Sequence, residues 1–167
     1  AVLIRGQVER CRLLLEEMTG GRGAVPERVS AAALIDDVSG RLTPALRDRL
    51  VVRLEVGAPA LLAPRAVLAQ AIAGLVKNGV EAGGDDPVVL GVGGRGDRVY
   101  VAVRDDGRGI DEATLAHVGE PFFSTRADAG GRGLGVFLAR PVAEGLGGTL
   151  HVDSIPGRGT CVSLDVP

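Results

Sequence analysis

Val103 to Ile110 of this 167-residue chain has the sequence VRDDGRGI. The alternation in RVYVAVRD, which leads into it, predicts an inner strand that ends at Asp105. A carboxylate fixed there can accept a hydrogen bond from an exocyclic amine such as that of adenine. Gly107 and Gly109 would let the backbone approach a flat ring closely. Asp-Gly is also a common turn, so these residues alone favour an ordinary hairpin exit.

Composition predicts a globular cytoplasmic domain. Apolar residues make up 46% of the sequence and charged residues 24%, which favours a packed core over disorder. The net charge of -2 and the 2% aromatic content argue against nucleic-acid binding. Two cysteines provide neither a disulfide framework nor a metal cluster. No signal peptide is visible, and no apolar run reaches the roughly 18 residues of a membrane span.

The first residues predict a helix that belongs to a neighbouring part of a longer protein. Apolar residues from Val2 to Met18 recur every three to four positions, and the chain begins inside this pattern without Met. TGGRGAVPERV, which follows, is typical of a linker. The predicted organisation is therefore a terminal helix over 1–19, a linker over 20–29 and one domain over 30–167.

Beyond the linker the sequence predicts helices and paired strands. Ser30 caps the predicted helix AAALIDDVSGRL, which two adjacent aspartates interrupt. Leu50 to Val56 is predicted as a strand, and Pro64 opens a long helix that ends at Gly83. The remaining predicted elements are a hairpin of PVVLGVGG and RVYVAVRD with a turn over 94–97, a helix DEATLAHV, a loop GEPFFSTRADAGG, a helix RGLGVFLARPVAEGLG, and a hairpin of GTLHVDS and GTCVSLDV. Hairpins covered by helices on one face indicate a two-layer α+β sandwich.

The long helix carries a polar flank beside its apolar face. At 100° per residue, Leu68, Ile72 and Leu75 share the face predicted to enter the core. The residues on the neighbouring flank are Gly74, Asn78 and Glu81. The side-chain carbonyl of an asparagine suits a hard cation such as Mg²⁺. A solvated helix flank explains the same residues without a ligand.

GGRGLG, at 130–135, places a run of backbone N–H groups before a helix, where the dipole favours phosphate. A dinucleotide-binding fingerprint would need GxGxxG directly after a strand. Here the spacing is GxGxG and no strand precedes it, which argues against that fold.

Five motifs in this order resemble the catalytic ATP-binding domain of sensor histidine kinases, in the superfamily of gyrase, Hsp90, histidine kinases and MutL (GHKL). LVKNGVEA is similar to the N box, DDGRGI to the G1 box, EPFFSTR to the F box, GGRGLGVFLAR to the G2 box and GRGT to the last glycine box. The resemblance covers roughly 30–167. It implies the Bergerat ATP-binding fold, a two-layer α/β sandwich, with a helix of the dimerisation domain before it.

The resemblance implies an adenine end of the site. Asp105 would hydrogen-bond the adenine amine, Gly107 and Gly109 would line the adenine pocket, and Thr160 would lie beside the water network on that side.

At the phosphate end, Asn78 would bind Mg²⁺ against the ATP phosphates and Glu81 would order a Mg²⁺-bound water. A mobile ATP lid would cover 111–132. The further residues implied at the ATP phosphates or the C-terminal end of the lid are Arg126, Gly131, Arg132, Gly133, Leu134 and Gly135.

Three residues depart from the family pattern. Gly74 replaces a second asparagine, or the glutamate that acts as base in ATP-hydrolysing relatives, which argues against gyrase-like or Hsp90-like hydrolysis. Gly79 replaces a usual alanine at a helix-propensity cost of up to about 1 kcal/mol. Pro141 removes a hydrogen bond from the G2 helix and should kink it. Gly74 and Pro141 motivate an alternative, a nucleotide-binding module that has lost catalysis.

In such kinases the γ-phosphoryl group of ATP goes to a histidine on the dimerisation domain and then to a response regulator. His117 and His151 stand on no helix followed by an acid and a proline, so the acceptor is expected outside this chain. The resemblance implies a homodimer in the full-length protein and a cytoplasmic domain of an inner-membrane sensor, attached through the preceding region. An anti-sigma-type serine kinase shares the motifs, but it lacks a dimerisation helix.

LIRGQVERCRLLLEEM resembles the redox box of RegB/PrrB-type redox-responsive kinases, with Cys11 at the sensing position. This implies that oxidation, for example to an intermolecular disulfide, lowers kinase activity. Arg10 and Arg12 would favour the thiolate, although a small apolar residue in a helix seam explains Cys11 equally well. Cys161, in a predicted terminal strand, is expected to be inert core.

Overall fold

The computed structural model describes residues 25–84, 86–118 and 135–167. Within these ranges the helices are α1 (Ala31–Arg41), α2 (Pro44–Arg47), α3 (Arg65–Ala82), α4 (Glu112–Leu115) and α5 (Gly135–Gly145). The strands are β1 (Glu27–Val29), β2 (Leu50–Leu54), β3 (Leu61–Ala63), β4 (Val88–Arg95), β5 (Arg98–Asp105), β6 (Thr149–Ile155) and β7 (Gly159–Val166).

Five of these strands form the main sheet in the order β2-β4-β5-β7-β6. β2 and β4 are parallel, with α3 on the connection between them, and the other neighbours are antiparallel. β5 is the central strand, as expected, and its last residue is Asp105. β5 has the predicted bounds, whereas β4 continues one residue further than predicted, to Arg95, so the turn is 96–97 rather than 94–97.

The core lies between one face of the sheet and a layer containing α1, α3 and α5. Along β5 every second residue is buried, which fits a sheet covered by helices on one side. The predicted core face of α3 is confirmed, because Leu68, Ile72 and Leu75 are at most 2% exposed. Burying each such side chain contributes about 1.5–3 kcal/mol. The two-layer α+β sandwich is therefore confirmed for the described residues.

The start of α1 agrees with the sequence, but its interior does not. The Ser30 hydroxyl accepts the Ala33 N–H at 3.2 Å, which confirms the cap. The predicted interruption at the two aspartates is wrong, because the helix continues to Arg41. The Asp37 carboxylate accepts two hydrogen bonds of 2.7 Å from the Arg65 guanidinium, which lowers the pKa of Asp37. This pair links α1 to the first turn of α3.

Three short elements were not predicted. β1 lies inside the range assigned to the linker and pairs with β3 in a separate antiparallel sheet, and α2 begins at Pro44. β2 ends at Leu54 rather than at Val56. A strand of three residues is too short to show an alternation in the sequence, and each of the two is stabilised by a partner far along the chain. Among the described residues no helix combines the length and the apolar character that would take it across a bilayer.

Candidate functional site

Asp105 is a buried carboxylate at the end of the central strand, with 8% of its surface exposed. Its Oδ1 accepts the Gly107 N–H at 2.9 Å. Burial raises the pKa of Asp105, and the charge of Asp106 adds to the rise, while backbone hydrogen bonds from Gly107 and Thr160 oppose it. A carboxylate kept here at neutral pH therefore has few partners within the protein to offset its lost hydration, and it suits a ligand that donates a hydrogen bond.

α3 packs closely against the sheet at Gly79. A Cβ atom at this position would lie 3.0 Å from Val88 Cγ2 and 3.4 Å from Asp105 Cβ. The glycine, expected only to weaken the helix, therefore lets α3 approach β4 and the end of β5. Asn78, the preceding residue, is exposed. An exposed amide thus lies one residue from the contact between α3 and the buried carboxylate.

The two glycines after Asp105 are required by contacts within the protein. A Cβ atom at Gly107 would lie 2.6 Å from the Gly83 carbonyl oxygen, at the end of α3. Gly109 has φ +67, and a Cβ atom there would overlap the Ile155 carbonyl. The turn is therefore packed between the end of α3 and the end of β6, which fixes the backbone beside Asp105.

Three polar side chains cross the sheet in one row, formed by Asp105 of β5, Thr160 of β7 and Ser154 of β6; we call it the polar row. Asp105 is directly opposite Thr160, and Thr160 is directly opposite Ser154. Directly opposed residues project from the same face. Two-residue periodicity puts this row on the same face as the buried Val103 and Val162, which is the helix-covered face.

Ser154 makes three contacts at the end of this row. Its Oγ accepts the Ile110 N–H at 2.8 Å, donates to the Gly159 carbonyl at 3.0 Å and lies 2.9 Å from Thr160 Oγ1. The hydroxyl therefore joins the backbone after Asp105 to the β6–β7 hairpin.

A distant arginine holds the chain between α3 and β4. Arg49 Nη2 donates to the carbonyl oxygens of Gly84 at 2.6 Å and of Asp86 at 3.0 Å. Arg49 Nε is buried and, among the described residues, has no hydrogen-bond partner. An added Cβ at Gly84 would lie 3.4 Å from the Asp106 carbonyl, so the segment that Arg49 holds lies against the turn after Asp105.

Residues 64–167, from the start of α3 to the end of β7, match the family of histidine kinase-, DNA gyrase B-, and HSP90-like ATPases. The chain belongs to this family. The match includes every residue of the polar row as well as α3, so the buried carboxylate and its surroundings lie within the family's ATP-binding domain.

Relatives of this ATPase domain include named sensor kinases. Sporulation kinase A of Bacillus subtilis is 30% identical, over 99% of this chain and 28% of that protein. Sensor protein kinase FleS of Pseudomonas aeruginosa is 36% identical, over 87% of this chain and 37% of that protein. The chain thus spans well under half the length of these relatives. It contains the ATP-binding catalytic domain found in sensor histidine kinases.

Solved structures confirm the histidine kinase-like fold. The catalytic domain of the histidine kinase ThkA gives a TM-score of 0.71 at 23% identity, over 85% of this chain and 95% of that one. Full-length ShkA in complex with AMPPNP also gives 0.71 at 23% identity, over 85% of this chain and 31% of that one.

The predicted Mg²⁺ flank lies on α3 of the ATPase domain. Asn78 is exposed, whereas Glu81 and Gly74 are partly buried. Glu81 Oε1 is 3.8 Å from Lys77 Nζ. Groups of three or more histidine, cysteine, aspartate or glutamate side chains able to hold a metal do not occur within the described ranges. A cation here would therefore depend on Asn78, Glu81 and oxygen atoms of its ligand.

Several predicted residues fall outside the described ranges. These are Cys11, Arg126, Gly131, Arg132, Gly133 and Leu134. Gly135 is the first residue of α5, which contains Pro141 as expected.

The histidines and Cys161 were placed correctly along the chain. His117 follows α4, and His151 lies in β6 with its ring 3.2 Å from Thr149 Oγ1; both are exposed. Cys161 lies in β7 but is not core: it is partly exposed on the face opposite the helices, because it alternates with the buried Val162. Burial raises the pKa of its thiol.

Sequence reasoning missed Arg49 and Ser154. The partners of Arg49 are backbone carbonyls at least 35 positions away, for which the sequence carries no signal. Ser154 was visible as a polar residue in a predicted strand. Aligning the final hairpin through the GRGT turn would have placed it opposite Thr160.

Proposed function

We propose that this domain holds Mg²⁺-ATP and presents its γ-phosphoryl group to a histidine outside the described chain, as in a sensor histidine kinase. The observation that carries the proposal is the buried Asp105 at the end of the central strand, in contact with α3 one residue from the exposed Asn78. This arrangement offers an acceptor for a base and an oxygen ligand for a cation on adjoining elements.

Asp105 binds the adenine amine in this proposal. A carboxylate accepts hydrogen bonds only, and two backbone N–H groups already fix its position. Gly107 and Gly109 keep the adjoining turn close to the ends of α3 and β6, so that the backbone beside the base is rigid. Thr160, opposite Asp105, contacts the base through water.

The phosphates lie toward Asn78 and the start of α5. Asn78 would hold Mg²⁺ through its amide oxygen, and Glu81, three residues further on, would orient a water beside it. Mg²⁺, when bound, neutralises phosphate charge. The N-terminus of α5, which begins at Gly135, adds backbone donors. The residues proposed to complete the phosphate contacts are Arg126, Gly131, Arg132, Gly133 and Leu134.

Transfer requires an acceptor from another domain. The bond between the β–γ bridging oxygen and the γ-phosphorus breaks, a bond forms to an imidazole nitrogen of the acceptor, and ADP leaves. Positioning and charge neutralisation supply the catalysis. His117 and His151 lie outside helices, so we propose that the acceptor is on the protein's own dimerisation domain and that a response regulator receives the group next. A homodimer and attachment to an inner-membrane sensor belong to the same proposal.

ATP titration with and without Mg²⁺ tests the site. Wild type should bind ATP, and Mg²⁺ should strengthen binding. Asp105→Asn should weaken binding in both conditions, whereas Asn78→Ala should remove only the effect of Mg²⁺. Lys77→Ala, next to Asn78 and also exposed, is the matched control. Absence of any ATP or ADP binding by folded wild type would refute the ATP site.

Transfer is tested with γ-labelled ATP and a separately supplied phosphoacceptor domain of a sensor kinase. The label should reach the acceptor domain and should not reach this chain. Labelling of His117 or His151, removed by His→Ala substitution at that position, would contradict the proposal of an external acceptor.

Redox control through Cys11 is a separate proposal, supported only by the resemblance of LIRGQVERCRLLLEEM to a redox box. Oxidation of the longer protein should produce a disulfide-linked dimer on non-reducing gels and lower its autophosphorylation. Cys11→Ser should abolish both changes, whereas Cys161→Ser should not. Equal responses of Cys11→Ser and wild type would remove the proposal.

A further inference from the structure

We propose that Ser154 is a positioning residue for base selection: it holds the Thr160 hydroxyl as a pure hydrogen-bond acceptor, so that the polar row favours a 6-amino purine over a 6-oxo purine. This inference rests on the proposed adenine site. It assigns a role to a side chain that need not touch the nucleotide.

Counting protons at Ser154 gives the direction of each hydrogen bond. A serine hydroxyl has one proton and two lone pairs. The proton is donated to the Gly159 carbonyl, and one lone pair accepts the Ile110 N–H. The contact of 2.9 Å with Thr160 Oγ1 therefore uses the second lone pair of Ser154, and Thr160 is the donor.

This direction fixes what Thr160 can offer to a ligand. The single proton of the Thr160 hydroxyl points across the sheet from β7 to Ser154 of β6. Its lone pairs remain for other partners. The neighbour of Thr160 on the other side is Asp105, whose carboxylate also accepts only. Where β5 ends and β7 begins, the polar row thus presents acceptors.

An acceptor row discriminates between the two purine types when the 6-position faces Asp105. Adenine has a donating amine at that position, and its N1 accepts. A water that donates one proton to Thr160 keeps its other proton for adenine N1. A 6-oxo purine has a carbonyl oxygen at the 6-position and a hydrogen on N1. Its carbonyl oxygen would face the Asp105 carboxylate, which also only accepts. Its N1 hydrogen would face the proton of the water held by Thr160. Unpaired polar groups of this kind are strongly rejected in buried sites.

Ser154→Ala tests the inference, with ATP and inosine triphosphate (ITP) as ligands. ITP has the triphosphate and ribose of ATP but an oxygen at the 6-position and a hydrogen on N1. In the variant the Thr160 hydroxyl loses its acceptor and can turn to donate to water or to the base. The ratio of ATP affinity to ITP affinity should fall by about tenfold, while Asp105 keeps ATP the preferred ligand. Ser154→Thr, which retains the hydroxyl, should restore the ratio.

A role of Ser154 in folding alone would lower both affinities by the same factor and leave their ratio unchanged, and this result would overturn the inference. Ser163→Ala removes another hydroxyl of the same hairpin, buried on the opposite face, and should not change the ratio.

Thr160→Val provides an independent test that does not depend on whether Ser154→Ala folds. The variant removes the acceptor itself, so it should also lower the ratio of ATP affinity to ITP affinity. Adding Ser154→Ala to Thr160→Val should lower this ratio no further. An unchanged ratio in Thr160→Val would overturn the inference. If wild type binds ATP and Ser154→Ala keeps the wild-type ratio of ATP to ITP affinity, only this inference is contradicted. If wild type binds neither nucleotide, the ATP site itself is contradicted.

Discussion

At Asp105 the carboxylate is almost completely withdrawn from water, and backbone N–H groups compensate for only part of the lost hydration. Its pKa in the folded chain is therefore higher than the ordinary 3.8. Between the two pKa values the folded state holds a proton that the unfolded state has released. The contribution of this group to the free energy of unfolding thus falls as pH rises through that window and stays low at neutral pH.

Asp105→Asn should separate stability from binding. ATP affinity should fall about tenfold or more, because a hydrogen bond to a charged acceptor is lost. The nucleotide-free variant should lack the fall in stability that Asp105 causes as pH rises above the ordinary pKa of 3.8. Urea unfolding from pH 3.5 to 7 and ATP titration at each pH measure both quantities. ATP affinity of wild type should decrease as pH falls through the raised pKa. Identical pH profiles of stability for variant and wild type would contradict this account.

Gly159→Ala should destabilise the domain by at least about 2 kcal/mol. Gly159 has φ +92, and a Cβ atom there would overlap the backbone carbonyl of Asp105. Gly157 in the same turn is the matched control, because it has φ +75 but no atom within 4 Å of an added Cβ. Gly157→Ala should lower the free energy of unfolding by only about 1 kcal/mol, the cost of backbone strain at this φ. If denaturant unfolding gave the same loss of stability for Gly159→Ala and Gly157→Ala, contact with the Asp105 carbonyl would not be the cause of the effect.

Among the elements, the connection from α3 to β4 depends on Arg49, which lies just before β2 and holds the carbonyls of Gly84 and Asp86. Arg49→Met should lower the free energy of unfolding by about 1.5–3 kcal/mol, the value of hydrogen bonds to a charged group. ATP affinity should fall as well, because the connection lies against the turn after Asp105.

Arg53→Met is the control for Arg49→Met, since Arg53 is an exposed arginine on the adjoining β2. The free energy of unfolding of Arg53→Met should differ from that of wild type by less than about 0.5 kcal/mol. Thermal unfolding and ATP titration of the two variants, measured side by side, check the prediction. Equal effects of the two substitutions would show that Arg49 does not hold the connection.

For the whole molecule, nucleotide and fold should be coupled, because the proposed site joins α3 to the centre of the sheet. At ATP concentrations one hundred times the Kd, the free energy of unfolding should increase by about 2.7 kcal/mol. The increase should follow the logarithm of ATP concentration in differential scanning calorimetry. Asp105→Asn at the same ATP concentration should show a smaller increase. An increase in wild type that does not depend on ATP concentration would contradict specific binding.

The main elements of the fold could be predicted because their signals are local. The stripe of α3, the alternation of β5 and the glycines at chain reversals each specify structure within a few residues. The position of Asp105 at the end of an inner strand followed from the same local pattern, since alternation and the following Asp-Gly located the end of the strand. The order of the five motifs supplied the family.

Features that depend on distant partners could not be predicted in this way. β1 and β3 are three residues each and form only against one another. The role of Arg49 depends on carbonyls beyond α3, and the close packing at Gly79 of α3 depends on Val88 of β4. Periodicity describes which face a residue occupies, but it does not identify the atom that the face meets.

The polar row has a consequence for how sequences of this type can diverge. Asp105, Thr160 and Ser154 lie in paired strands, where a shift of one residue would move each side chain to the opposite face. An insertion or deletion of one residue within one of these strands would therefore disrupt the polar row. Sequences of this type are therefore expected to diverge at the polar row by substitution rather than by a change in strand length.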